Sequence, residues 1–382
     1  VSESLVAPAG NFCEPCGMIE SLIQKCSPRA VELRHLVHSW PELAYEEHKT
    51  AGVIRDELTR LSIAFSSDID DAPTATVATI GDLSRPCVAL RADIDALPIA
   101  EQTGLGYASR RDGVMHACGH DGHTAMLLGV AKVLAGLRQD LPGTVVFMFQ
   151  PAEEGAPEGE EGGAPLMLKE GVFRDYHPQA VFGMHLWAGL NAGTVGYRSG
   201  SLMAGSDTFR LTVNGVQTHG SRPWGGVDPI VASAQILNNL QTIVSRQTDI
   251  TRYPAVVTVG AIKGGIRFNI IPDSVEMMGT IRTFDAGVRE QVIERLRRTA
   301  ENTAAASGAT AKLDILPGSN PVVINNPDLT RQVLPSLQKA VGKDGVLEVP
   351  YVTGSEDYAH FALQAPHLAQ HGVYGVGFFE RM

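Results

Sequence analysis

Residues 115–123 read MHACGHDGH, which places three histidines, one cysteine and one aspartate in nine positions, with glycines between them. Imidazole, thiolate and carboxylate are the side chains that bind borderline transition metals. Glycine lets the backbone bend so that neighbouring side chains converge on one point. Taken alone, the stretch fits a structural metal, a catalytic metal or a chance cluster in a polar loop. Three more segments carry the same chemistry: RADIDALP at 91–98, QPAEEG at 150–155 with Glu153 and Glu154, and GMHLW at 183–187 with His185. A two-metal site needs four or five ligands from separate loops. It also needs a carboxylate that is not a ligand, to take a proton from water whose acidity the cations raise. Adjacent glutamates can divide those jobs. Singly, a solvated Glu pair and a hydrogen-bonded strand histidine are the plainer readings; together at strand ends they point to one site.

The elements that must position these residues are legible as periodicity. PRAVELRHLVHSW, YEEHKTAGVIRDELTRL and HTAMLLGVAKVLAGLRQ space apolar residues as helices do. TATVATIG, PCVALRADIDALPI, GTVVFMFQP and AVFGMHLW read as buried strands. Buried strands alternating with helices predict an α/β layer with a mainly parallel sheet, whose ligands collect beyond the carboxyl ends of the strands. From about residue 199 the pattern changes. DTFRLTVNG, AVVTVGAIKGG and DSVEMMGTIRTF alternate by two, with helices near 228–246 and 287–306, which predicts a four-stranded sheet covered by helices on one side. After AKLDIL helix signals return. The chain therefore reads as an α/β domain, 1–198 and 315–382, with a smaller α+β unit inserted at 199–314.

With 382 residues, about two domains are expected. The net charge of −11 argues against nucleic acid or anionic membranes as partners. No stretch approaches the roughly 20 apolar residues of a membrane span. Five cysteines (Cys13, Cys16, Cys26, Cys87, Cys118) make no disulfide framework in a chain this long, and Cys13–Cys16 is a lone CxxC. A cytoplasmic location is expected. The first residue is Val1 rather than Met, from which removal of something upstream is expected.

TGLGYASRRDGVMHACGHDGHTAMLLG, QPAEEG, GMHLW, HGSRPWGGVDPI, FNIIPD and GSEDYAHF resemble the metal-dependent amidohydrolases that include hippurate hydrolases, aminoacylases and auxin-conjugate hydrolases. The likeness runs collinearly from about residue 29 to 360. It implies a metal-binding catalytic domain with a smaller lid, through which the chain forms a homodimer. It also implies Cys118, His120, Glu154 and His185 as ligands of two divalent ions, with Glu153 as general base. The substrate would be an N-acyl amino acid or short peptide-like amide. A thiolate ligand biases the ions towards zinc, with manganese, cobalt or nickel as alternatives. His116 and His123 are expected to support the ligands or cap a helix, and Asp93 and Asp95 to orient a ligand imidazole. In the lid, the resemblance implies His219 as a donor to the developing oxyanion, lent by the partner subunit in dimeric members. Asn269 fits either a second donor to substrate or a turn residue. Arg267 fits either a clamp for the product carboxylate or a solvated charge.

One departure stands out. The resemblance implies a final ligand histidine beyond GSEDYAHF, and the residues up to Met382 offer no counterpart; His360, His367 and His371 do not sit at that spacing. The fifth ligand is thus unplaced, and a protein that binds an amino-acid conjugate without turning it over is the rival expectation.

Overall fold

A computed structural model describes residues 15–363 other than 68, 70 and 158, with backbone alone at 15–17 and 375–380. Among the described residues the chain divides into two compact units, the first holding the residues up to Val195 with 377–380 and the second 196–363 with 375–376. Residues 315–363 group with the second unit.

In the first unit, helices α1 (Pro15–His38) and α2 (His48–Arg60) precede strands β1 (Ala64–Ser66), β2 (Thr76–Ile80) and β3 (Cys87–Asp93). Then come α3 (His120–Gly136), β4 (Thr144–Gln150), α4 (Gly163–Lys169), α5 (Val172–Tyr176) and β5 (Ala180–Leu186). The strands lie in the order β1-β2-β4-β3-β5. β3 runs parallel to both β4 and β5, as the buried apolar runs predict. β2 and β1 extend this core antiparallel. An apolar run reads the same in either direction, so only the connections distinguish them. Phe147 and Phe149 of β4 are fully buried against Leu33, Ile54, Leu58 and Leu128 from the helices. Burial of each such ring contributes roughly 2–3 kcal/mol. β3, β4 and β5 end at Asp93, Gln150 and Leu186, so the chemically active segments leave one edge of a parallel core.

The second unit follows β6 (Val195–Tyr197) and β7 (Gly200–Met203) with β8 (Gly205–Asn214), β9 (Thr218–His219), α6 (Pro229–Gln247), β10 (Ala255–Gly264), β11 (Ile270–Ile271), β12 (Ser274–Thr283), α7 (Ala286–Ala306) and β13 (Thr310–Ile315). The expected four-stranded sheet forms, antiparallel, in the order β10-β12-β8-β13. Phe209, Leu211 and Val213 alternate inward from β8 and meet Ile236 and Leu240 of α6 and Leu296 of α7. Gly279 of β12 makes room for the Phe209 ring: a Cβ there would fall 2.3 Å from Phe209 Cζ. Asp228 and Asp285 cap α6 and α7 through backbone N–H groups of the first turn. The later helix signals become α8 (Pro327–Val341) and a short α9 (Ala359–Leu363).

No helix among the described residues is long and apolar enough to cross a membrane. Cys26, Cys87 and Cys118 are free thiols, and the side chains of Cys13 and Cys16 lie outside the described residues.

Candidate functional site

The first unit gathers five of the residues singled out in the sequence. Cys118, His120 and His185 each present one ligand atom, all within 4.8 Å of one another, and so do His120, Glu153 and Glu154. The two trios share His120, the first residue of α3. Gly119 before it takes a left-handed conformation (φ 90°), which turns the chain between thiol and imidazole. At Gly122 a Cβ would lie 2.3 Å from Leu186 Cδ1, so a side chain there would force the Leu186 side chain to move.

Hydrogen bonds fix how the imidazoles point. The carboxylate of Asp95 accepts from His120 Nδ1 at 3.1 Å, leaving Nε2 to face Glu154 Oε1 at 3.7 Å and Glu153 Oε2 at 4.0 Å. His185 Nδ1 donates to the Leu186 carbonyl at 2.6 Å, which turns Nε2 toward Cys118 Sγ at 3.4 Å. His123 is committed on both sides: Nδ1 donates to Asp93 Oδ1 at 2.5 Å, and Nε2 accepts the Leu186 N–H at 2.7 Å. A backbone N–H can only donate, so the proton of His123 sits on Nδ1 and the ring ties α3 to β3 and β5. His116 is buried with neither ring nitrogen hydrogen-bonded, and burial pushes its pKa down to about 4.

The electrostatics are those of a site that receives positive charge. Burial opposes a charge on His120, yet Asp93 and Asp95 raise its pKa well above the usual imidazole value. Burial, with Asp95 and Asp93 adding repulsion, raises the Glu154 carboxyl as well. Burial also pushes the Cys118 thiol up to about 11. A field that favours a proton on His120 favours a cation in the same place. His120 Nε2 and Glu154 Oε1 are buried and lack a hydrogen-bond partner, and such atoms ordinarily have one. The donor set of thiol, imidazoles and carboxylates fits divalent metal ions.

Sequence reasoning did not single out Arg91 or Glu47. Buried Arg91 donates to Asp93 Oδ2 at 2.7 Å and to Gln150 Oε1 at 2.7 Å, bridging the ends of β3 and β4. An arginine inside an apolar strand, two residues from an aspartate, was its available signal. Glu47 accepts the Ala152 N–H at 3.0 Å from far away in sequence, and no spacing announces that contact.

In the second unit, β9 pairs with β11, placing His219 opposite Ile270, and Gly220 N–H donates to the Asn269 carbonyl at 2.8 Å. His219 and Asn269 are thus brought side by side. His219 Nδ1 accepts from the Ser221 backbone N–H at 3.1 Å and contacts Ser221 Oγ at 2.8 Å, so the proton of the neutral ring is on Nε2. Asn269 Oδ1 is buried without a hydrogen-bond partner, and Arg267 is exposed. His360 Nε2 lies 3.3 Å from Asn320 Oδ1. His367 and His371 lie outside the described residues.

Comparison with known proteins places the chain in a family. The profile of peptidase family M20/M25/M40 matches residues 89–379. An IAA-amino acid hydrolase ILR1-like 2 from Arabidopsis thaliana is 40% identical over 339 residues, 88% of this chain and 74% of that protein. An N-acetylcysteine deacetylase from Bacillus subtilis is 43% identical over 290 residues, 76% of this chain and 74% of its own. Among solved structures, the YxeP protein of Bacillus subtilis, described as a dinuclear metal binding peptidase, superposes with a TM-score of 0.79 at 36% identity, covering 94% of this chain and 89% of that one. The match covers most of the chain, including every segment of the buried cluster, and the chain belongs to peptidase family M20/M25/M40.

Proposed function

We propose that this chain is a metal-dependent amidohydrolase that cleaves the amide bond of N-acyl amino acids of the hippurate or acetyl-amino-acid type, or of a short peptide. The observation that carries the reading is the pair of trios meeting at His120, with two adjacent glutamates at their edge. The similarity to an IAA-amino acid hydrolase and an N-acetylcysteine deacetylase supports the substrate class.

Cys118, His120, Glu154 and His185 are the residues we assign to hold two divalent ions, zinc or manganese first, with cobalt or nickel as alternatives. When bound, such ions polarise the scissile carbonyl and make water acidic enough to attack. Glu153 takes the proton from the attacking water and returns it to the departing amine, a role open to a carboxylate within reach of the ions and not committed to them. Asp95 and Asp93 hold the imidazoles. His219 donates from Nε2 to the developing oxyanion, Asn269 offers an amide to the substrate, and Arg267 clamps the product carboxylate.

The segment 199–314 is assigned as a lid inserted into a metal-binding domain formed by 1–198 and 315–382, and as the contact of a homodimer. Exposed Ile262, Ile266 and Phe268 lie on or beside β10, an edge strand, and support that contact. Free Cys26, Cys87 and Cys118 support a reducing, cytoplasmic setting. The rival reading, a binder without turnover, is not favoured by relatives named as a hydrolase and a deacetylase.

The test is hydrolysis of a panel of acetyl- and benzoyl-amino acids by protein as purified, after chelation, and after zinc or manganese is restored. Turnover lost on chelation and regained with metal supports the reading. Conjugate binding with no turnover under any metal would overturn it.

A further inference from the structure

We propose that Glu47 is a positioning residue for the Glu153–Glu154 pair: its buried carboxyl clamps the Ala152 peptide N–H and fixes the turn from which both glutamates leave. The inference rests on the reading of Glu153 as general base.

Glu47 occupies the position before α2 where an acidic side chain ordinarily bonds the first free N–H groups of its own helix. It makes no such bond. Glu42 does that work instead, its two oxygens accepting the Lys49 and Thr50 N–H groups at 3.1 and 2.9 Å. Glu47 turns inward and is fully buried. One oxygen accepts from Thr74 Oγ1 at 2.8 Å and the other from Ala152 N–H at 3.0 Å. Burial, with Asp95 adding repulsion, pushes the Glu47 carboxyl up to about 7, so an acid costly to bury is spent on a hydroxyl, its own backbone and the Ala152 peptide.

That peptide is unusual. Ala152 has φ 52°, a left-handed conformation that non-glycine residues adopt only where the surroundings enforce it. Its carbonyl accepts Gly163 N–H at 3.2 Å, and Gly163 lies so close that a Cβ there would fall 1.7 Å from the Pro151 oxygen. Two residues on, the Glu154 N–H is held by Asp95 Oδ2 at 3.0 Å. The peptides at 152 and 154 are therefore each gripped by a buried carboxyl, and Glu47 is the one that holds the strained residue.

The test uses the full-length, metal-loaded enzyme. Glu47→Ala should lower kcat about ten- to a hundredfold, with KM and metal content unchanged, the scale of effect of a misplaced reacting group. Glu47→Gln should restore kcat to within about threefold of wild type, because its amide oxygen still accepts the Ala152 N–H and its NH2 donates to Thr74 Oγ1. Adding Ala152→Gly to Glu47→Ala should recover part of the loss, since glycine needs no enforcement at this φ. If Glu47→Ala does not fold, Thr74→Val, which only loosens the clamp, should still lower kcat about three- to tenfold. Wild-type kcat in these variants, glutamine as impaired as alanine, or metal lost in step with kcat would each overturn the proposal. Glu153→Gln is measured alongside. If it stays active, the base assignment and this inference fall together; if it is dead while Glu47→Ala is normal, only the inference falls.

Discussion

Asp95 Oδ1 lies 3.1 Å from His120 Nδ1, with both side chains fully buried, and the other Asp95 oxygen accepts the Glu154 N–H at 3.0 Å. One carboxylate thus orients two of the assigned ligands. Asparagine keeps one acceptor oxygen, so its NH2 group would face one of the two donors that Asp95 serves through separate oxygens. Asp95→Asn should weaken metal affinity about 10–100-fold, the usual effect of losing a group that orients a ligand. Competition against a chromophoric chelator measures it, and unchanged affinity would show that the bond does not set the ligands.

Cys118 is tested by its reactivity. Its thiol faces His185 Nε2 at 3.4 Å and is protonated near neutral pH without a cation. Thiol reagents should label it slowly in metal-loaded protein and several-fold faster after chelation. Cys118→Ser should bind less metal. Equal labelling in both states would count against the assignment.

His38 gives a prediction about pH. Its Nδ1 lies 2.9 Å from Asp121 Oδ2 and its Nε2 lies 3.3 Å from Glu101 Oε1, while Arg34 Nε also bonds Asp121 and His116 lies nearby. Burial opposes protonation, but the bonds and charges of Asp121 and Glu101 raise the His38 pKa above its ordinary value. A pKa raised by folding contributes stability that is fully present below the unfolded value, about 6.5, and is lost as pH rises through the folded value. His38→Asn should therefore destabilise by on the order of 1–3 kcal/mol near pH 5.5 and by clearly less near pH 9. Denaturant midpoints at the two pH values check this. An equal loss at both would show that His38 does not change its charge between those pH values.

His219 concerns the lid. Ser221 leaves the ring proton on Nε2, the form an oxyanion donor needs. His219→Ala should lower kcat by about two orders of magnitude, with metal content unchanged. If the histidine is lent across a dimer, verified hybrids of His219→Ala and Glu153→Gln subunits should regain part of the activity. Hybrids that stay inactive would exclude a shared site.

Much of the site was legible because its chemistry is local. Cys118 and His120 are two residues apart at the start of α3, and Glu153 and Glu154 are adjacent just after the apolar run of β4. The β3 run was read as reaching Ile99, but the strand stops at Asp93, where Asp93 and Asp95 turn to the histidines. What was not legible is the support. Glu47 reaches Ala152 across 105 residues, and Arg91 reaches Gln150 across 59. Such contacts depend on which strands end side by side, and that order is set by connections rather than by the periodicity of any one segment. Ala152 looks like an ordinary residue in sequence, and nothing in its type announces its left-handed φ.

The central claim, that Glu153 moves the proton while Glu154 holds metal, is tested most directly by Glu153→Gln with turnover and metal content measured on the same preparation. The amide keeps the shape and cannot accept the proton. The account predicts a kcat lower by about two to four orders of magnitude with metal content unchanged. Loss of metal from that variant, or turnover close to wild type, would contradict it.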